Sequence, residues 1–451
     1  MTLSRSIART LRRLGESLTP EDRAGSCLRI ADSIGIGIGA TASGDTATHV
    51  IAGAIDGSNG GACSVLGQPR REAPATAAFA NSALVHVLDF DDIHDAARLH
   101  PTTVTLPAAL AAAQLVKADG RRVADAVLLG DELICRLGVA CSPKGTGPGS
   151  DWFLTQLFGY FGAAYAAGSV LGLDEDALVS AFGLAYMQAA GGKQAGFGVG
   201  SNARAIYPAF ASQGGVQAAL LARAGMQGPD GAFDGAAGLF PVYLGAQPTP
   251  AQRDLLLGDS QWEAPIIELK PWPCCRLSHP YVATALAMRD AVGNDPKQIE
   301  IHVNASAAKL CRPLAERRRP VTLQDAKYSI PWMTAFTLVH GRVDLTTLSE
   351  VALADERVLA VAQHVEVLET MPDRPGHPPA RIRVQQANGS WIESPPDVPV
   401  PSLDTAAAQA KFSACLAHAG RSARQAQALW NGLLSLHTQP SVDFLFEHNE
   451  T

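Results

Sequence analysis

The sequence predicts a mainly α protein in which a large helical bundle, discontinuous along the chain, carries a smaller α+β lid. Three observations lead there. From residue 6 to about 245, Ala-rich segments repeat apolar residues at three- and four-residue spacing, as one face of a helix requires. Past residue 265 the period shortens to two in "QIEIHVNA", "HVEVLETM" and "ARIRVQQANGSWIESPP", the pattern of half-buried strands. Helical spacing returns in "LDTAAAQAKFSACLAHAG" and "SARQAQALWNGLLSL", a piece too short to fold alone, whose expected place is back on the first bundle. The expected division is 1–268 with 402–451 for the helical domain, and 269–401 for the lid.

In the bundle, helices are expected at "NSALVHVLDF", "TVTLPAALAAAQLV", "RVADAVLLGDELICRLGVA", "FGAAYAAGSVLGL", "DEDALVSAFGLAYMQAAGG" and "ASQGGVQAALLARAG". Small residues on nearly every face predict close interhelical approach. Asp174 is the expected cap of the fifth, with acids in its first turn. "IADSIGIGIGATASG" is dense in glycine, but it follows no expected strand and lacks both the GxGxxG register and the Walker ending, so helix packing explains it. In the lid, "HPYVATALAMRDAV", "IPWMTAFTLVHG" and "VLAVAQHV" are helical segments between strands, and Asn388-Gly389 marks a hairpin turn. "RPLAERRRP" is expected as an exposed charged loop.

Composition narrows the function. With 47% hydrophobic and 18% charged residues in 451, the chain can bury a sizeable core. Acids outnumber bases 43 to 36, a formal charge of −7 that weighs against non-specific nucleic-acid binding. No apolar run reaches the ~20 residues of a membrane span, and the first residues carry charge where a signal peptide needs an apolar centre. A cytoplasmic protein is expected, and the eight Cys, with no CxxC pair, fit reduced usage in which Cys274-Cys275 is packing.

Three segments carry chemistry. "HVLDFDDIHDAARLHPTTVTLP" spends four Asp and three His in one stretch, with His86, Asp89 and Asp92 at three-residue spacing. It suits a divalent metal, an acid-base site in which an Asp charges or orients a His, or a solvated loop. "AAGGKQAGFGVGSNARAIYP" interrupts the bundle with Lys193 and Arg204 on a Gly-rich run, either a loop that lets backbone approach a ligand or an ordinary surface loop. In "ELKPWPCCRLSHPYVATALAM", Pro271 and Pro273 exclude a helix and Ser278 can cap a new one. Lys270, Arg276 and His279 would then converge on a helix N-terminus as an anion site for carboxylate or phosphate, the alternative being a linker with solvated cations.

Together, "ALVHVLDFDDIHDAARLHPTTVTLPAALAAA", "KPWPCCRLSHP" and "DAKYSIPWMTAFTLVHGRVDL" resemble, in this order, the signatures of the MmgE/PrpD family, and the resemblance runs through essentially the whole chain. It implies the same two-part fold, a positively charged site between the parts, no organic cofactor and a homodimer. It also implies dehydration, decarboxylation or epimerisation of a di- or tricarboxylic acid, with acid-base roles for Asp89, His100 and Lys270. The chain departs from the dehydratase and decarboxylase branch at Ile93, where Thr is usual, by one extra residue before His100, and at Arg204 and Tyr207, where a Lys and a Leu-His stand.

All these reactions begin by removing a proton next to a carboxylate. Arg204, Arg276, His279 and Lys193 are therefore expected to bind substrate. His100 is expected as the principal acid-base residue, with Asp89 orienting it or acting as partner base, and Tyr207 as a proton donor. Desolvation is expected to bring Lys270 towards a base. No metal is expected. A lyase is the first expectation, a two-base epimerase the second, a silent carboxylate-binding protein the third.

Overall fold

A computed structural model describes residues 1–43, 48, 60–141, 151–196, 198–259, 262–293, 296–373 and 379–446. Gly44, at the end of the first Gly-rich stretch, and Phe197, in the second, lie outside the described residues. The chain is mainly α, with one hydrophobic core built by residues from Leu3 to Leu269 and again from Ala408 to Leu445, and a second built from Cys274 to Val384.

The larger core opens with helices α1 (Leu3–Glu16) and α2 (Pro20–Ala40), followed by a short hairpin, β1 (Cys63–Ser64) and β2 (Arg71–Glu72). Six helices follow: α3 (Pro74–Val87), α4 (Thr102–Val116), α5 (Gly120–Cys141), α6 (Leu154–Leu171), α7 (Glu175–Tyr186) and α8 (Tyr207–Arg223). α6 is buried along nearly its whole length and packs on α4, α5 and α8, because Gly and Ala leave little between backbones. Asp174 caps α7 by accepting from Ala177 N, as its sequence position predicts. Two shorter helices, α9 (Leu239–Leu244) and α10 (Pro250–Leu257), complete this part before the chain crosses to the second core.

The second core begins with α11 (His279–Val292), which lacks a side-chain cap: Ser278 Oγ is buried without a partner, so the expected capping bond is not made. Its sheet has the order β4-β3-β5-β6, from β3 (Gln298–Val303), β4 (Val365–Glu369), β5 (Arg381–Gln385) and β6 (Trp391–Glu393). β3 runs parallel to β4 and antiparallel to β5, which turns into β6 at Asn388-Gly389, where Gly389 has φ +87°. Between β3 and β4 lie α12 (Ala305–Ala308), α13 (Leu314–Arg318), α14 (Leu323–Lys327), α15 (Ile330–His340) and α16 (Glu356–Gln363). The charged run "RPLAERRRP" is not an exposed loop throughout. Arg317 on α13 is 1% exposed and donates to Arg312 O, Tyr328 O and Gly198 O, three carbonyls that compensate its burial.

The C-terminal helices α17 (Thr405–His418) and α18 (Ala423–Leu434) return to the larger core and dock on α2. The glycines of α2 explain how. A Cβ at Gly35 would sit 2.5 Å from the Phe412 ring, and one at Gly39 would sit 3.0 Å from Cys415 O, so two glycines four apart open one face to α17. All eight cysteines are buried and free. No described helix is long and apolar enough to cross a membrane. Gly35→Val is expected to overpack the α2/α17 contact and cost about 1–3 kcal/mol, read as a lower urea midpoint at unchanged slope.

Candidate active site

α3 ends inside the protein, and its last carbonyls need partners. Lys327 Nζ and Gln324 Nε2, both from α14, donate to Val87 O at 3.1 Å, a cation at the negative end of the helix. Two residues on, Asp89 takes φ +52°, a left-handed conformation that costs a non-glycine residue on the order of 1 kcal/mol. This bend ends the helix before the three-residue spacing of His86, Asp89 and Asp92 can become one helical face. It turns both the carbonyl and the carboxylate of Asp89 towards one cation.

That cation is Lys270. Ile93 and Glu268 exchange both backbone hydrogen bonds at 2.9 Å, which draws the segment before Lys270 alongside the Asp-rich one. Lys270 Nζ then donates to Asp89 Oδ1 at 2.6 Å and Asp89 O at 2.9 Å, and lies 3.7 Å from Asp91 Oδ1. Lys270 and Asp91 side chains are 0% exposed and Asp89 3%. Burial alone would push these carboxyls up and the ammonium down. Their mutual attraction wins, with His86 adding to it, so Asp89 and Asp91 are held below the usual carboxylate range and Lys270 above its usual value. The expectation that desolvation makes Lys270 a base is corrected: two carboxylates keep it an ammonium.

His86 and His100 lie beside this pair, their ring centroids 5.2 Å apart. His100 Nδ1 is 2.7 Å from Asp92 O. A carbonyl only accepts, so Nδ1 carries the proton and Nε2 keeps its lone pair. Burial, with Lys270 and His86 nearby, brings the His100 imidazole down to about 4 despite the pull of Asp91, so it is neutral at ordinary pH. His86 Nδ1 bonds Asp91 Oδ2 at 2.8 Å, and its buried Nε2 has no protein partner. Asp89 thus partners Lys270, and the carboxylate facing both imidazoles is Asp91, 3.7 Å from His100 Nδ1. Sequence reasoning missed the His86–Asp91 pair because the helix ends between them, where no fixed spacing applies.

Tyr207, first residue of α8, stacks on Phe153 at 4.2 Å and meets the His86 ring edge-on at 4.9 Å. Its hydroxyl donates to Thr155 Oγ1 at 3.3 Å, and burial raises its pKa. Arg204 lies one turn earlier, its guanidinium carbon 3.5 Å from the Tyr328 ring centre, a cation stacked on an aromatic face from the second core. A narrow cleft of about 10 Å³ lies there, bordered by Ser201, Arg204, Arg317, Gln324 and Tyr328. The Gly-rich run is fastened across it: Gly200 N donates to the Asp325 carboxylate at 3.0 Å, and Gly198 O accepts from Arg317. Lys193 sits on the same run, its ammonium brought down to about 8 by burial and by Arg204, Lys309 and Arg98.

Other expected residues have protein partners. Arg276 donates through Nη2 to Asp95 at 2.6 Å and Glu268 at 2.6 Å, while its buried Nη1 has no protein partner. His279 is fully buried, bonded through Nε2 to Cys274 O at 3.1 Å, and pushed well below the usual imidazole range by burial, Lys270 and Arg276. Lys270, Arg276 and His279 thus lie close enough for the two cations to act on the imidazole, and Arg276 Nη1 and His279 Nδ1 are buried without a protein partner. His94 and Asp95 are loop residues with partners of their own: His94 is 1% exposed and bonds Glu263 at 3.0 Å, and Asp95 is paired with Arg276.

This arrangement of a neutral imidazole at His100, a second imidazole at His86, a buried ammonium and a stacked arginine can move a proton beside a bound anion. Comparison with known families gives it a setting. The MmgE/PrpD N-terminal domain profile matches residues 12–252, and the C-terminal domain profile matches residues 272–432. The chain belongs to the MmgE/PrpD family. Among relatives, it is 30% identical over 418 residues to the cis-aconitate decarboxylase-like protein oryM of Aspergillus oryzae, covering 85% of this chain and 84% of that one. It is 28% identical over 316 residues to a cis-aconitate decarboxylase of Aspergillus terreus, covering 64% of this chain and 62% of that protein, less than two thirds of its length. With the human cis-aconitate decarboxylase it shares 27% over 327 residues, 68% of this chain and 64% of the relative. Ile93 contributes its backbone to the pair with Glu268 and buries its side chain.

Lys270→Met is expected to strand the buried Asp89 and Asp91 charges and cost about 3–5 kcal/mol, measured by urea unfolding. Arg276→Gln is expected to lower the urea unfolding midpoint, since it removes the ion pairs with Asp95 and Glu268.

Proposed function

We propose that this chain is a lyase, without an organic cofactor, that dehydrates or decarboxylates a di- or tricarboxylic acid. The site lies in a cleft between a helical domain of residues 1–268 with 402–451 and a lid of residues 269–401. The observation that carries the proposal is the His100 tautomer: Nδ1 is committed to Asp92 O, which leaves Nε2 free as a neutral base beside a buried ammonium. Membership of the MmgE/PrpD family and relatives named cis-aconitate decarboxylase support it.

In this reading Arg204 clamps one substrate carboxylate, with Lys193 adding charge at the cleft, and Lys270 polarises the carboxylate next to the reacting carbon. That carbon's proton is weakly acidic, and a preorganised positive site lowers the barrier by stabilising the enediolate. In dehydration, His100 Nε2 takes the proton, the electron pair left on carbon forms the double bond, and the neighbouring C–O bond breaks with the hydroxyl leaving as water on a proton from Tyr207. In decarboxylation of an unsaturated acid, the C–CO2 bond breaks, its electron pair forms a new double bond, and the old one takes a proton from Tyr207 at its far carbon as carbon dioxide leaves, Tyr207 regaining its proton from water. His86 gives a two-base epimerase a specific footing, because its Nε2 is a second imidazole nitrogen without a protein partner.

Incubation with citrate-like and succinate-like acids in deuterated water, followed by NMR, tests these readings. Loss of water or carbon dioxide is expected; deuterium exchange with inverted stereochemistry and no elimination would sink the lyase. His100→Gln is expected to lower kcat by about 10²–10⁴-fold. As a base, His100 must be neutral, so kcat/KM is expected to be level above its value of about 4 and to fall as pH drops through it. Lys193 loses its charge as pH rises through about 8, so KM is expected to climb above that pH.

A further inference from the structure

We propose that Asp92 is held as a neutral carboxylic acid, hydrogen-bonded through Thr102 to an ionised Asp131, and that this trapped proton makes Asp92 the positioning residue for His100. Asp92 and Asp131 are both 0% exposed. The Thr102 hydroxyl lies between them, in a very short contact with Asp92 Oδ2 and 3.0 Å from Asp131 Oδ2. A hydroxyl has one proton and can donate to one of these oxygens. The other must bring its own proton, since two carboxylates would otherwise set lone pairs against the same threonine oxygen in a dry interior.

The remaining partners decide which carboxyl holds it. Asp131 Oδ1 accepts from Thr105 Oγ1 at 2.5 Å, and Arg29 Nε, buried on α2, lies 3.7 Å from Asp131 Oδ2. Among the described residues no cation forms an ion pair with Asp92, and Arg29 acts on it only from a distance: beyond Thr102 Oγ1, its carboxyl accepts the long 3.3 Å contact from Thr102 N. The ionised Asp91 lies next to it in sequence, and Glu132 and Cys135 stand beyond Asp131 on α5. The bonds therefore run one way, from Asp92 Oδ2–H to Thr102 Oγ1, and from Thr102 Oγ1–H to Asp131, with Arg29 behind. Burial pushes both carboxyls up, Asp131 to about 6 against the pull of Arg29, and Asp92 well above its usual range.

The consequence reaches His100 through the backbone. The main-chain carbonyl of Asp92 accepts the His100 Nδ1 proton, so the side-chain anchor at Thr102 fixes the peptide that fixes the tautomer. A neutral Asp92 also spares the loop a third buried carboxylate beside Asp89 and Asp91, which share the one ammonium of Lys270. The positioning role rests on the proposed function; the protonation state does not.

Infrared spectra of the full chain near neutral pH, with Asp92→Asn and Asp131→Asn, read the proton directly. A protonated-carboxyl carbonyl band is expected in the parent and lost in Asp92→Asn. Absence of the band in the parent, or its survival in Asp92→Asn with loss in Asp131→Asn, would overturn the assignment. For the positioning role, Asp92→Ala is expected to lower kcat and move the acid limb of kcat/KM towards that of an ordinary imidazole. Asp92→Asn, which cannot ionise, is expected to lose far less and keep the limb. Equal loss in the two, at matched thermal stability, would overturn the role. Should Asp92→Ala not fold, the limb in Asp92→Asn decides alone. If no acid is turned over by the parent, the proposed function fails while the infrared result stands.

Discussion

The buried contact between Lys270 and Asp89 is the constraint on which the site depends. Taking an ammonium and two carboxylates out of water costs several kcal/mol per ion, so the group is a poor source of stability and a strong source of register. Lys270 stands where the chain leaves the larger core, and its Nζ reaches both the carbonyl and the carboxylate of Asp89. One cation thereby holds the left-handed bend after α3 and sets where the second core begins. The Ile93–Glu268 backbone pair and the Lys327 and Gln324 contacts to Val87 O repeat the fastening on either side.

The bend is held from behind as well. Lys411 on α17 donates to Asp32 Oδ2 and to Phe90 O, each at 2.8 Å, and lies 4.0 Å from the Phe90 ring centre. Phe90 follows Asp89 directly, so a residue near the end of the chain supports the carbonyl next to the strained one. That reach requires α17 to lie against α2 at the distance Gly35 and Gly39 permit. The glycines of α2 serve helix packing, as their sequence context predicts, and the packing they allow ends at the candidate site.

Much of the fold was legible because periodicity reports burial. The six Ala-rich helices, the strand alternations, the Asn388-Gly389 turn and the Asp174 cap all follow from local rules. At the site, residue types were legible but partners were not. Asp89, His100, Lys270, Arg204 and Tyr207 gather around the bend, while Arg276 pairs with Asp95 and Glu268, and Arg317, read as a surface charge, is buried under Tyr328 and Gly198. Charged residues in loops carry no periodic signal, so a clamp and a staple have the same sequence appearance.

By itself the sequence determined the mainly α class, the change of texture after residue 265, the return of helical spacing near the end, and a set of acids, histidines and cations suited to proton transfer beside a carboxylate. Only the tertiary structure decided which carboxylate charges which base. It put Asp91 on His86, Asp89 on Lys270 and the Asp92 carbonyl on His100. The reason is range: helix and strand patterns are fixed by neighbours a few residues away, whereas the charge state of a buried group is set by whatever lies within a few ångströms. For Asp89 that neighbour is 181 residues along the chain.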